Sequence, residues 1–286
     1  MGQTLRPMSQ ETDEPRIYLL PNLMTAGNLI CGFFAVLTIF NGIVEATGKD
    51  GSYAFSIAQP YYERAILLIF ASCIFDLLDG RLARLGGKES PFGREFDSLA
   101  DVISFGMAPS MLMAKAVVLE IGDIGWWLAC IYVLCGAIRL ARFNCIAASP
   151  HHQPGDSDFH GLTIPMAAGF ISSLTFLVIH FNEADKNLGP WKWVLAGAML
   201  GLSILMVSSV RYPSFKKIGW RTKGTPLIVV IAAAVLITTV WYYYLMPAVL
   251  FTIYVLYGLV IRPFLSSRMR QGIEEIEDSG PNESGE

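Results

Sequence analysis

Asp76-Leu77-Leu78-Asp79-Gly80-Arg81-Leu82-Ala83-Arg84 and, a short connection later, Gly93-Arg94-Glu95-Phe96-Asp97-Ser98-Leu99-Ala100-Asp101 decide the fold of this chain. The first closes an apolar run and the second opens one, each long enough for a membrane helix, yet together they hold four aspartates. Asp76 and Asp79 stand three apart, so on a helix both carboxylates leave one face, and Gly80 and Ala83 continue that face one turn on. Asp97 and Asp101 stand four apart on the next helix. Residues 85–96 form a connection short enough to make the two helices antiparallel neighbours. The spacing predicts four carboxylates converging near one end of a helix pair. Ionisable side chains in spanning segments are costly and mark functional sites.

The rest of the chain supports a bilayer setting. Of its 286 residues 53% are hydrophobic and only 16% charged, against about 25% charged in soluble domains, and the mean hydropathy is +0.47. A disordered chain, a disulfide-stapled module and a basic nucleic-acid binder are excluded. The net charge is −3, so basic patches are local and no nucleic-acid partner is expected. Cys31, Cys73, Cys130, Cys135 and Cys145 lie in apolar stretches without a CxxC pair, and read as small buried hydrophobes. The first twenty residues are mostly polar, so no cleaved signal peptide is expected. A span needs about 20 apolar residues, and eight stretches qualify: 23–44, 64–85, 97–119, 126–146, 163–181, 192–210, 227–244 and 246–264. The last two are separated only by the turn around Pro247, as a tight hairpin or one broken element. Gly197-x3-Gly201 in the sixth predicts close helix packing.

With the N-terminus inside, 16 of the 21 basic residues fall in cytoplasmic segments, which is the positive-inside pattern. Eight spans with both termini inside follow. The division is a cytoplasmic N-terminal segment 1–22, a transmembrane catalytic domain 23–265 and an acidic, disordered tail 266–286. The fold class is an all-α integral-membrane helical bundle. The basic residues between Arg211 and Lys223 read as contacts to anionic lipid headgroups.

Four converging carboxylates would repel one another, and hard divalent cations resolve that conflict. Oxygen ligands suit Mg²⁺ or Mn²⁺, and no Cys or His at ligand spacing points to zinc. Two such ions would clamp a diphosphate and stabilise both oxygens of an in-line displacement. Gly80 and Ala83 leave room for a ligand near the backbone, and Arg84 can pair with phosphate. A competing reading pairs the aspartates with Arg81, Arg84, Lys88 and Arg94 as an interfacial ion-pair belt. Against it, Asp76-x2-Asp79-Gly80-x2-Ala83-Arg84-x8-Gly93-x3-Asp97-x3-Asp101 fixes eight positions, each about one in twenty by chance.

That string resembles, without a departure, the signature of the CDP-alcohol phosphatidyltransferases. The resemblance implies a six-span core, here with about two extra C-terminal spans, a homodimer, and a site for two divalent ions near the cytoplasmic face of a bacterial inner membrane. It also implies displacement of CMP from a CDP-linked lipid by an alcohol. It makes Asp76, Asp79, Asp97 and Asp101 metal ligands and Asp101 also the general base. Gly80, Ala83, Arg84, Ser90 and Gly93, with Asn22 and Thr25, would hold the CDP-diacylglycerol. Asn22 and Thr25 have a second reading, as caps of a helix that starts at Pro21-Asn22. The runs 20–28, 96–106, 139–144, 161–169 and 211–215 are similar to the bacterial CDP-diacylglycerol–serine O-phosphatidyltransferases within that family. Phosphatidylglycerophosphate synthases usually carry Arg where Asn28 stands.

No His, Cys or Lys nucleophile lies in the aspartate-bearing helical turns, which favours direct attack by the serine hydroxyl with Asp101 taking its proton. The carboxylate of serine needs a cation, and Arg139 and Arg142, three apart near the end of the fourth span, either supply it or snorkel to the interface. Asn144 and Ser104 could add hydrogen bonds. His151, His152 and His160 fall in a polar loop, 147–162, read as surface or as a gate. Glycerol 3-phosphate, inositol phosphate or choline are the alternative acceptors. An ion-coupled transporter would instead place its charges at the midplane of inverted repeats, and no repeat is visible.

Overall fold

The computed structural model describes residues 19–49, 51–85, 90–116, 121–147, 159–181, 190–208, 210–212, 238–239 and 241–261. They form eight α-helices: α1 (Leu19–Ala46), α2 (Phe55–Leu85), α3 (Pro91–Asp101), α4 (Ala108–Ala116), α5 (Asp123–Ala147), α6 (Ile164–Phe181), α7 (Trp191–Val207) and α8 (Met246–Leu256). One antiparallel pair, β1 (Phe159–His160) with β2 (Arg211–Tyr212), accompanies them. The chain is a helical membrane protein. Three helices among the described residues, α1, α5 and α6, are long and apolar enough to cross a bilayer, and α7 and α8 are shorter apolar helices. Helix α2 has 31 residues, about 46 Å of rise, longer than a hydrocarbon core of roughly 30 Å.

Burial sorts these helices as lipid requires. Phe34, Phe40, Leu67, Ile74 and Trp127 are all more than half exposed, an apolar surface that a soluble monomer would not tolerate. The buried sides of α1 and α2 meet through Ala35, Ile39, Ala58, Tyr62, Ala65, Ile66 and Ile69. Helix α5 packs on α7, and α6 on α8. Trp126 and Trp127 open α5 while Trp191 and Trp193 open α7. Both pairs lie at one interface, because the far ends of α5 and α7 are tied together by Arg142. Lys115, in the last turn of α4, sits 4.5 Å from the Trp126 ring at that same interface, a cation–π contact suited to the headgroup level.

The expected third span, 97–119, is not one helix. Ser90 caps α3 by accepting from Gly93 N–H at 3.0 Å, and Pro91 starts it, so the helix begins well before Asp97. A π-helical segment, Val102–Met107, then joins α3 to α4, with Ala108 N–H bonded to Ile103 O. Pro109 explains it: a proline has no N–H for the carbonyl four residues back, so the turn widens. Of the two readings at Pro247, a tight hairpin or one broken element, the described residues show a turn over Tyr242–Leu245 with Met246 N–H bonded to the Tyr242 carbonyl, and Pro247 itself sits in the first turn of α8. Most of the expected span 227–244, the histidines 151 and 152, and the tail 266–286 lie outside the described residues.

Two glycine readings resolve differently. A Cβ on Gly197 or Gly201 would meet nothing within 4 Å, so that pair makes no close contact within the described chain. Gly32 does: a Cβ there would lie 2.6 Å from Ser104 Cα, so α1 and the π-helical segment approach closely only because Gly32 has no side chain. The polar loop 147–162 ends in β1, where His160 pairs with Arg211. Gly161 follows at φ +82 with its Cβ position 2.4 Å from Met206 O, a site only glycine fits. All five cysteines are free thiols, but none is buried as expected: Cys31, Cys73 and Cys135 are half-buried, and Cys130 and Cys145 are exposed, on sides of their apolar helix that no other described element covers.

Candidate active site

Helices α2 and α3 bring Asp76, Asp97 and Asp101 together. One carboxylate oxygen from each lies within 4.8 Å of the others, the only such His/Cys/Asp/Glu group among the described residues. Asp101 is 5% exposed and Asp76 and Asp97 are half-buried. Asp79, on the same α2 face and 8% exposed, accepts a hydrogen bond from the Thr25 hydroxyl. Its charge acts on Asp76, so it adjoins the triad as a neighbour tied to α1. All donors in the triad are hard oxygens. Cys73, one turn before Asp76, turns its thiol toward Pro165 O at 4.0 Å and is outside the ligand group. Three acids held this close fit a divalent cation of the Mg²⁺ or Mn²⁺ type.

Helix α1 supplies the framework around the acids. It already runs at Leu19, so Asn22 and Thr25 lie inside the helix and the capping reading of that pair fails. Asn28 donates its amide to Asp101 Oδ1 at 3.0 Å, and both residues are buried. The carbonyl of Asn28 accepts from Ser72 at 3.2 Å and from Ser104 at 3.0 Å, which pins α2 and the π-helical segment to one point of α1. Two turns nearer the chain start, Asn22, Ser90 and Gly93 converge: a Cβ on Gly93 would be 3.2 Å from Asn22 Oδ1 and 3.1 Å from Ser90 Oγ. Asn22 Nδ2 is buried there without a hydrogen-bond partner, a donor that a ligand would satisfy. Gly80, Ala83 and Arg84 occupy the following turns of α2.

The profile of the CDP-alcohol phosphatidyltransferase family matches residues 18–261. The chain belongs to this family. It is 36% identical over 249 residues to the CDP-diacylglycerol–serine O-phosphatidyltransferase of Helicobacter pylori (strain J99), covering 87% of this chain and 93% of that one. It is 32% identical over 198 residues to the Bacillus subtilis (strain 168) protein of the same name, covering 69% of this chain and 92% of that one. With the archaetidylserine synthase of Methanothermobacter thermautotrophicus it shares 33% identity over 205 residues, 71% of this chain and 73% of the relative.

Within this CDP-alcohol phosphatidyltransferase the two arginines of α5 part company. Arg139 is 6% exposed, its Nε has no partner, and its charge interacts with that of Asp101. Arg142 donates to the carbonyls of Val207 at 3.0 Å and Ser208 at 3.3 Å, closing the C-terminal end of α7 as a basic side chain does. Asn144 donates to Ser98 Oγ at 2.9 Å and Glu95 Oε2 at 3.3 Å, which fastens α3 to α5. Ser104 is committed to the Asn28 carbonyl. The residue that sequence reasoning passed over is Asn28. Its signal was the Asn22, Thr25, Asn28 spacing of three, which puts three polar side chains near one face of an otherwise apolar helix.

Proposed function

We propose that the chain transfers the phosphatidyl group of CDP-diacylglycerol to the hydroxyl of L-serine, giving phosphatidylserine and CMP. The observation that carries the chemistry is the gathering of Asp76, Asp97 and Asp101 at a polar end of an apolar helical bundle; the relatives' names supply the acceptor. Asp76, Asp79, Asp97 and Asp101 would hold Mg²⁺ or Mn²⁺, two ions in the full reading, which supplies the positive charge that a diphosphate needs. Asn22, Thr25, Gly80, Ala83, Arg84, Ser90 and Gly93 form the CDP-diacylglycerol side. The Ser90 oxygen caps α3 as an acceptor, so its own proton is available to a phosphate.

Serine attacks directly. Its hydroxyl proton passes to the Asp101 carboxylate, its oxygen bonds to the phosphorus that carries diacylglycerol, and the bond from that phosphorus to the CMP oxygen breaks. Arg139 meets the serine carboxylate, because its guanidinium is buried beside Asp101 and keeps an unpaired Nε–H. Both termini and the acids face the cytoplasm, the chain crosses the membrane eight times, and the working unit is a homodimer. Asn144 fastens the acid-bearing helix α3 to the last turns of α5, which supports a site near one end of the bundle over a midplane ion pathway.

The deciding experiment gives purified protein CDP-diacylglycerol with radiolabelled serine, glycerol 3-phosphate, inositol phosphate or choline in separate reactions. Label from serine alone should enter lipid, with one CMP released per molecule incorporated. Incorporation of another alcohol and none of serine overturns the acceptor. No incorporation of any, with intact folded protein, overturns the reaction class.

A further inference from the structure

We propose that Asn28 is a positioning residue that fixes the orientation of Asp101 and thereby sets how tightly the acid cluster holds its metal. The inference rests on the reading of Asp101 as a ligand and proton acceptor. Asn28 is fully buried, and its side-chain N–H reaches Asp101 Oδ1 at 3.0 Å across 73 residues of sequence. An ionised carboxylate only accepts, so the amide must offer its nitrogen there. That choice leaves Asn28 Oδ1 buried with no partner, a cost the fold accepts to keep a donor on Asp101. The backbone that carries this amide is pinned in place. The Ser72 and Ser104 hydroxyls both end on the Asn28 carbonyl, and Gly32 one turn on lets Ser104 approach to contact distance. Three elements are thus locked around the residue of α1 that bonds Asp101.

With Oδ1 bonded to Asn28, rotation of the Asp101 carboxylate is restrained and its other oxygen is left for an ion shared with Asp76 and Asp97. Partners that orient a metal ligand are each worth about 10–100-fold in metal affinity or activity. The test uses full-length protein in detergent and Mn²⁺ alone, with bound ion counted by electron paramagnetic resonance. Asn28→Leu keeps the volume and removes the donor. It should weaken Mn²⁺ binding and lower kcat, each by about 10–100-fold, while KM for CDP-diacylglycerol stays within about twofold of wild type. Asn28→Ala, which cannot overfill the site, should behave the same way if the leucine variant does not fold. Asp101→Asn and the double variant complete a cycle. If Asn28 acts through Asp101, its loss adds nothing to the Mn²⁺ defect of Asp101→Asn. Wild-type Mn²⁺ affinity in the folded Asn28 variants overturns the inference while leaving the acid site standing. A further Mn²⁺ loss in the double variant, additive with the single ones, also overturns it. Wild-type Mn²⁺ affinity in Asp101→Asn overturns instead the reading of Asp101 beneath it.

Discussion

Asp97 stands one turn before Asp101 on α3 and shares the cluster with Asp76, so no single carboxylate is a spare. Replacing Asp97 with Asn keeps the shape and removes one charge. CMP release by Asp97→Asn should fall below about 1% of wild type, as expected when a transition-state charge contact worth about 3 kcal/mol or more is lost. Excess chelator should silence the wild type equally, and added Mn²⁺ should restore only the wild type. Substantial turnover in the variant would remove Asp97 from the site. Arg139 carries a second expectation. A charge-assisted contact to the serine carboxylate is worth about 1.5–3 kcal/mol, or about 10- to 150-fold. Arg139→Gln should therefore raise KM for serine by that range with KM for CDP-diacylglycerol nearly unchanged. A change confined to the nucleotide lipid would move the arginine to the diphosphate.

Arg142 shows why spacing reveals a face and not a partner. It and Arg139 are three apart, which on a helix separates them by about 60° around the axis. That angle suffices to turn one into the buried acids and the other onto the end of α7. Arg142→Gln should leave both KM values alone and lower thermal stability by about 1 kcal/mol, the scale of a partly exposed hydrogen-bonded cap. An altered serine KM in that variant would return Arg142 to the pocket. The π-helical segment after Asp101 sets another expectation at this scale. Gly32→Ala would drive a methyl group into the Ser104 backbone, and overpacking of this kind costs about 1–3 kcal/mol. Loss of folded yield with kcat reduced in the surviving protein should follow; a fully active, stable variant would mean that α1 can move away without consequence. The aspartate faces were legible in the sequence because helical periodicity is local. The break in α3–α4 was not, since the apolar run continues through Pro109 and only the missing N–H betrays it. The bond from Asn28 to Asp101 was invisible for a different reason: it joins residues 73 apart, and nothing in either stretch names the other.

For the molecule as a whole, the apolar composition identified the bilayer, and the described helices bear it out. The span count rests on stretches of which 227–237 lie outside the described residues, so orientation needs its own measurement. Single cysteines at positions 88 and 186, in a background without the native five, should react with an impermeant reagent from opposite sides of the membrane. Reaction of both from one side would overturn the eight-span topology. The tryptophans opening α5 and α7 supply a check that needs no labelling site: brominated lipids with the bromine near the headgroup should quench them more than lipids brominated at mid-chain.

The clasp between β1 and β2 has a consequence for how the protein is made. His160 pairs with Arg211, and Arg142 waits for the carbonyls of Val207 and Ser208. At a translation rate of about 5–20 residues per second, the chain from 160 to 211 takes roughly 3–10 s to emerge. The segments carrying Asn28 and Asp101 are both made before α5 begins. The ribosome thus makes the segments of the acid cluster before those that join the C-terminal ends of α5 and α7. Until Val207 and Ser208 are made, the two hydrogen bonds that pin α5 to α7 cannot form, so this end of the bundle closes only after α7 is synthesised.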